Sequence, residues 1–254
     1  MELYYIAVFF IFGLIFGSFF NVVAYRLPKG MSLIKPSSHC TKCNHKLSPI
    51  ELIPVLSYII QGGKCKKCKN KIAIFYPIFE IFTGVMFVIA YKTFGISIDL
   101  FINLIFISMI LIIILSDVLY MVISDEVLIF CGLSIFILKI LESGISIILP
   151  TIINMIIPFV FLLLIKILGD FLFKKESMGF GDIKLMLVFG LVLGWQVTLF
   201  SIVLSCFIAL PLSLINLIVA KKHELPFGPY LGTAALISLL LKIDVNFILK
   251  ILGI

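Results

Sequence analysis

Long uncharged segments alternate with short polar ones along most of the chain, and this pattern predicts helices that span a membrane. Residues 3–25 and 143–165 are uncharged segments of 23 residues each, and a helix needs about 20 apolar residues to cross a hydrocarbon core. The segment 185–220 contains 36 uncharged residues, or about 54 Å of helix. Because a hydrocarbon core is only about 30 Å thick, we expect this segment to fold back at residues 194–196.

The same pattern predicts an all-α polytopic membrane protein with about eight transmembrane helices. Segment 52–63 is too short to span, so we expect it on the membrane surface or against the helices. We divide the chain into a first helix (1–26), a polar cysteine loop (27–76) and a seven-helix core (77–254). The predicted helices cover residues 3–25, 76–91, 99–117, 125–141, 143–168, the two halves of 185–220, and 226–250.

Composition and charge agree with a membrane protein and indicate its orientation. The chain is 62% hydrophobic and only 13% charged, against about 25% charged in soluble domains. The net charge is +7, and ten of the 20 Lys and Arg residues lie between Arg26 and Lys71, where Glu51 is the one acid. Cytoplasmic loops of membrane proteins are enriched in Lys and Arg. We therefore expect a cytoplasmic loop at 27–76 and an outside N-terminus, and we disfavour nucleic-acid binding.

Two aspartates border the uncharged segments. Asp117 follows the uncharged segment 100–116, and Asp182 lies just before 185–220. With eight helices, both fall on the cytoplasmic side, and a carboxylate beside so apolar a segment is costly unless it has a function. Two adjacent carboxylates share one proton, so one can act as base on a water while the other polarises a peptide carbonyl. The sequence does not indicate which aspartate has which role.

Each of these acids also has a structural interpretation. An aspartate at a helix end is often an N-cap or a solvated interfacial charge, and this alternative stays open for Asp182. Asp125 is typical of a cap on the fourth helix, although it could also orient Asp117. Gly179 and Gly181 both precede Asp182, and we expect them to let the backbone turn tightly and approach a substrate closely.

The polar loop contains a pattern typical of a metal site. Cys40 and Cys43 form one Cys-x-x-Cys pair, and Cys65 and Cys68 form a second after 21 intervening residues. Four thiolates in two such pairs suit tetrahedral zinc, and a closed four-cysteine site is structural. Disulfides are disfavoured because a cytoplasmic loop stays reduced.

Several motifs together resemble those of the bacterial type IV prepilin peptidases, bifunctional leader peptidases and N-methyltransferases of the inner membrane with a G-x-G-D aspartic protease site. The resemblance runs over nearly the whole chain. Departures from the family pattern are Thr41, Leu52 and Ser124, none of them a predicted catalytic group. The matching segments are residues 17–28, the two Cys-x-x-Cys pairs, residues 53–57, residues 76–80 with Glu80, Asp117 with Asp125, residues 179–182, and residues 226–230.

This resemblance implies a function. Asp117 and Asp182 would be the catalytic aspartates that cleave a basic leader from pilin-like precursors at the cytoplasmic membrane face. The enzyme would then methylate the new N-terminal amine with S-adenosylmethionine. The family positions that match near the loop, and are therefore candidates for binding this cofactor, are Glu51, Gly62, Gly63 and Glu80.

Two other classes of function use the same features. A transporter could use Asp117 and Asp182 as proton or cation relays, although no internal repeat of the helices is apparent. A membrane scaffold could use the zinc loop to dock a cytoplasmic partner. A metalloprotease is disfavoured because the sequence has no His-Glu-x-x-His motif and only three histidines.

Overall fold

The protein is almost entirely helical in the residues that a computed structural model describes, 1–219 and 226–252. It forms two compact units, Met1–Ile96 and Ser97–Ile254. The charged residues Lys221 and Lys222, which we expect at a membrane–water interface between the last two predicted helices, lie outside the described residues. The all-α prediction is confirmed.

The first unit is built on two long helices, α1 (Glu2–Arg26) and α3 (Phe75–Phe94), with a short helix α2 (Leu56–Ile60) in the polar loop between them. Glycines bring the two long helices close together, since a Cβ on Gly13 would lie 2.6 Å from the Cα of Gly84. Small residues commonly allow such backbone approach between membrane helices. The first unit thus includes α3, and the division at residues 26 and 76 stays a prediction.

The second unit surrounds one buried helix. Its members are α4 (Ile98–Tyr120), α5 (Asp125–Ser143), α6 (Ile148–Phe173), α7 (Phe180–Leu193), α8 (Trp195–Val219), α9 (Gly228–Leu240) and α10 (Val245–Leu252). Helix α4 packs against α5, α7 and α9, and residues such as Phe106, Ile107 and Met109 are fully buried. A helix that is apolar on all sides is expected in a core. Helix α4 therefore gives the unit a rigid centre.

Within the described residues, five helices are long and apolar enough to cross a membrane: Glu2–Lys29, Phe75–Phe94, Ile98–Tyr120, Ile145–Phe173 and Trp195–Ile215. The predicted count of eight spans is therefore not confirmed. Helices α7 and α9 have 14 and 13 residues, and at 1.5 Å per residue they rise only about 20 Å. The predicted turn near residue 194 is found, with Gly194 at φ 78° between α7 and α8.

Two predicted helices differ clearly from the structure. Helix α6 covers Ile148–Phe173 instead of residues 143–168, and it continues past Gly169 because Lys166 Nζ pairs with the Asp170 carboxylate one turn further along, at 2.8 Å. The last predicted helix is divided into α9 and α10 by residues 241–244, where Lys242 has φ 50°. A left-handed residue ends a helix, and the hydrophobic pattern alone does not reveal it.

Gly190 sets the packing of α7 against α6, and its replacement by alanine should destabilise the second unit. A Cβ at this position would overlap the Asn154 carbonyl oxygen and lie 2.9 Å from the Cα of Met155. Overpacking against backbone typically costs about 1–3 kcal/mol. Thermal unfolding in detergent should therefore show a lower midpoint for Gly190→Ala. Gly132→Ala is the control, because its Cβ would meet only Val188 Cγ2 at 3.4 Å; equal midpoints for the two variants would contradict the packing.

Candidate functional site

Asp117 lies in the last turn of α4 and is almost completely buried, with 6% of its surface exposed. The helix ends at Tyr120 because Met121 takes a left-handed conformation (φ 54°), and the Met121 N–H donates to the Asp117 carbonyl oxygen. The chain then passes through residues 122–124 to the start of α5. This sharp helix end fixes the position of the Asp117 carboxylate.

Asp182 is the third residue of α7 and is 7% exposed. Its Oδ1 is buried and has no hydrogen-bond partner among the described residues. A buried polar atom without a partner is costly, and such atoms in native structures call for an explanation. Asp182 Oδ1 is therefore open to a hydrogen bond from a bound group.

Both carboxylates line one cavity of about 300 Å³. The loop residues 121–123 and the glycines 179 and 181 form much of its remaining wall. The two predicted aspartates therefore line the same cavity within the second unit, and their joint action on a peptide stays a prediction.

A backbone contact on Asp117 was not predicted. The Gly228 N–H, at the first residue of α9, donates to Asp117 Oδ2 at 3.0 Å. A Cβ on Gly228 would lie only 2.7 Å from that oxygen, so any larger residue would push the carboxylate away. The sequence offered one signal, the Gly-Pro pair that is typical of a helix start, but nothing that connected it to Asp117.

The glycines before Asp182 do not need the left-handed conformation that glycine favours. Neither Gly179 nor Gly181 has a positive φ, and their expected close approach to a substrate stays a prediction. Gly181 instead allows close packing, since a Cβ there would lie 2.9 Å from the Cβ of Ile123. A Cβ on Gly179 would meet Asp182 Oδ2 at 3.5 Å, an ordinary contact. Gly181 therefore brings the loop after α4 against the start of α7.

Asp125 is the first residue of α5, after the N-cap residue Ser124, and it forms an ion pair at the cavity wall instead of the expected helix cap. Lys184 Nζ donates to its two carboxylate oxygens at 2.9 and 2.7 Å. The pair links α5 to α7 across the cavity that holds the aspartates. Asp125 thus bonds to Lys184 and not to Asp117, and Lys184 is a second site residue that the sequence reading missed.

The four loop cysteines come together in the first unit. Their sulfur atoms all lie within 4.8 Å of one another, with Cys40 to Cys68 at 3.8 Å and Cys43 to Cys65 at 3.9 Å. Zinc–sulfur bonds of 2.3 Å in a tetrahedron place sulfurs about 3.8 Å apart, whereas a disulfide needs about 2.05 Å. The cluster therefore fits a tetrahedral metal ion and excludes disulfides between these pairs in this structure.

The two cysteine pairs have the same backbone turn. In each, the residue after the second cysteine is left-handed: Asn44 has φ 54° and Lys69 has φ 59°. The backbone N–H groups of Lys42 and Cys43 lower the pKa of Cys40 to about 6. This keeps the Cys40 sulfur as the thiolate that metals bind. The His45 N–H lowers the pKa of Cys43, but burial and the neighbouring thiols outweigh it and raise the pKa to about 11.

The candidate cofactor residues have structural contacts. Glu51 accepts from the Ser48 N–H at 2.9 Å and hydroxyl at 2.8 Å, and the Ser48 N–H lowers the pKa of Glu51. Glu80 accepts from the Val55 N–H at 2.8 Å. Glu51 Oε1 is buried without a partner among the described residues, so it can still accept a hydrogen bond from a ligand.

Gly62 and Gly63 form the turn that leads from α2 to the second cysteine pair. Both have a positive φ, 60° and 66°, which favours glycine. A Cβ on Gly63 would also lie 2.9 Å from the Tyr58 ring. The turn interpretation accounts for these two glycines, and their role in cofactor binding stays a prediction.

The second unit therefore defines a class of protein: a helical membrane protein that holds two buried acidic side chains at one cavity. The family model described as the type IV leader peptidase family matches residues 104–214, and the bacterial peptidase A24 N-terminal domain matches residues 11–94. Together the two matches cover most of the chain, which therefore belongs to the type IV leader peptidase family. The first match spans both aspartates, and the second spans the four cysteines.

Curated relatives agree with this assignment. A prepilin leader peptidase/N-methyltransferase of Bacillus subtilis is 45% identical over 107 residues, which are 42% of this chain and 43% of that relative. Proteins of the same name from Pseudomonas aeruginosa and Pseudomonas putida are 29% and 28% identical. Those matches cover 90% and 93% of this chain, and 87% and 91% of the relatives. No solved structure gives a significant match.

Proposed function

We propose that the protein is a membrane aspartic endopeptidase that cleaves the basic leader peptide of type IV prepilin-like precursors. The observation that carries this proposal is the single cavity lined by Asp117 and Asp182. Two carboxylates that share one proton supply both the base and the acid for peptide hydrolysis, with no covalent intermediate. The family assignment and the names of the relatives support this function over a transporter or a scaffold.

The orientation of the site follows from charge. The cationic loop between α1 and α3 favours the cytoplasmic side of the bacterial inner membrane, and the N-terminus is then outside. If the eight helices predicted from the sequence all cross the membrane, Asp117 and Asp182 both face the cytoplasmic side. A precursor with a cationic leader and an apolar stem would present its scissile bond at the same boundary.

The loop cysteines would hold a structural zinc ion. The sulfur separations of 3.8 and 3.9 Å fit its tetrahedron. Four protein ligands leave no open position for substrate, so the metal stiffens the loop. Arg26, the last residue of α1, also holds the start of the loop by donating a hydrogen bond from Nη1 to the Ser32 carbonyl oxygen at 3.1 Å.

A second activity, N-methylation of the new N-terminal residue, is proposed for the first unit. S-adenosylmethionine would supply the methyl group. Glu51 Oε1 is the candidate acceptor for this cofactor because it is buried and unpartnered among the described residues. Glu80 instead holds Val55, a β-branched residue at φ 59°, and so maintains the loop conformation.

Co-expression with a pilin-like precursor tests the proposed function. The mature product should lack its leader, and its measured mass should include one extra methyl group on the new N-terminus. A precursor that keeps its leader in the presence of the folded protein would contradict endopeptidase activity. A cleaved product without the methyl group would contradict only the second activity.

A further inference from the structure

The two aspartates have different surroundings, and the first difference is the donor on Asp117. The Gly228 N–H points at Oδ2 from 3.0 Å, and it is the first N–H of a 13-residue helix. A hydrogen bond donated to a carboxylate favours the charged form, and the partial positive charge of a helix N-terminus adds to this effect. The end of α9 therefore stabilises ionised Asp117.

Asp182 lacks a comparable donor. Its Oδ1 is buried with no hydrogen-bond partner in the described part of the chain, and burial without donors disfavours a charged carboxylate. The negative charge of Asp117 disfavours a second charge further. Helix dipoles favour the opposite order, because Asp182 lies in the first turn of α7 and Asp117 lies in the last turn of α4. A direct hydrogen bond donated to the Asp117 carboxylate is stronger than these helix-end fields and outweighs them.

The other charged groups near the two aspartates do not reverse the difference between their surroundings. Lys184 of α7 forms an ion pair with Asp125 of α5, with Nζ 2.7 Å from Oδ2. Glu126, also on α5, is exposed. Helix α9 carries no charged side chain, and Tyr230 is its one titratable residue. The asymmetry between the aspartates thus rests on the Gly228 N–H and on the buried Oδ1 of Asp182.

We propose that Asp117 is the ionised member of the pair, that Asp182 carries the shared proton, and that Gly228 is a positioning residue that imposes this order. The assignment rests on the proposed endopeptidase function. Asp117 takes a proton from water as the water oxygen bonds to the scissile carbonyl carbon, and Asp182 gives its proton to the carbonyl oxygen. Asp117 then protonates the leaving nitrogen as the C–N bond breaks, and one hydroxyl of the diol returns a proton to Asp182.

Infrared spectroscopy of the full-length protein in detergent at neutral pH tests this assignment without requiring turnover. Difference spectra between the wild type and each asparagine variant report the C=O stretch of a protonated carboxyl group. The band should disappear in Asp182→Asn and persist in Asp117→Asn. Loss of the band in Asp117→Asn, in both variants or in neither would overturn the assignment, while leader cleavage by the wild type would leave the proposed function intact.

The pH dependence of precursor cleavage tests the role of Gly228. Gly228→Ala moves the N–H away from Asp117, so ionisation of Asp117 requires a higher pH, and the acidic limb of kcat/KM should rise by about one pH unit. Gly232→Ala is the matched control, one turn further along α9, where the added Cβ would meet Ile110 Cγ2 at 2.9 Å. Its acidic limb should not move. An unshifted limb in Gly228→Ala would contradict the positioning role, and an inactive Gly228→Ala leaves the infrared test to decide.

Discussion

Replacing either Asp117 or Asp182 by asparagine is expected to abolish precursor cleavage while the protein still folds in the membrane. Asparagine keeps the size of the side chain but can neither accept a proton from water nor donate one as a carboxylic acid. General acid–base catalysis contributes about 10²–10⁴-fold per group, and groups that act as a unit lose nearly everything when one is removed. We therefore expect each variant to be at least about a thousandfold slower in a single-turnover assay with purified protein and precursor.

Asp99→Asn is the matched control for this experiment. Asp99 lies in the first turn of α4, at the opposite end of the helix that carries Asp117. The same chemical change on the same helix should leave cleavage close to the wild-type rate. Substantial cleavage by Asp117→Asn or Asp182→Asn would refute the catalytic pair, and equal loss in Asp99→Asn would indicate a folding defect.

Loss of the proposed zinc ion is the second large effect that we expect. Cys65 is buried, with 3% of its surface exposed, and its sulfur lies 3.9 Å from that of Cys43. A closed structural zinc site uses all four thiolates as ligands, so removal of one of them should greatly weaken metal retention. Metal analysis should find about one zinc ion per chain in the wild type and nearly none in purified Cys65→Ser.

Cys206→Ser is the control for the metal experiment, because Cys206 is an exposed free cysteine on α8. It should retain the full metal content. In Cys65→Ser we expect methylation to fall more than cleavage, since the aspartates belong to the other compact unit. Unchanged zinc content in Cys65→Ser would contradict the four-cysteine site.

The sequence predicted the elements whose signal is local. The uncharged segments located the helices, and Gly194 marked the turn between α7 and α8. The cysteine spacing predicted the cluster, because the two cysteines of each pair are only three positions apart and a single backbone turn brings their sulfur atoms together. The apolar segments that end at Asp117 and begin after Asp182 indicated that both carboxylates matter.

The sequence could not predict contacts between distant segments. Gly228 is 111 positions from Asp117, and Lys184 is 59 positions from Asp125, so no local pattern connects them. We expected the glycine before Asp182 to turn the backbone; in the structure, Gly181 also leaves room for the Ile123 side chain to pack against it. Such a role depends on which helix packs opposite, which only the fold reveals. The distinct surroundings of the two aspartates arise from the same distant contacts.

The cleavage rate of the double variant Asp117→Asn/Asp182→Asn is the most direct measurement of whether the two carboxylates act as one unit. Single-turnover rates of the wild type, both single variants and the double variant complete the cycle. Our account predicts that the double variant is no slower than either single variant, because one missing member already disables the pair. A double variant slower than both, by the product of the two single losses, would show that the aspartates act independently and would contradict the account.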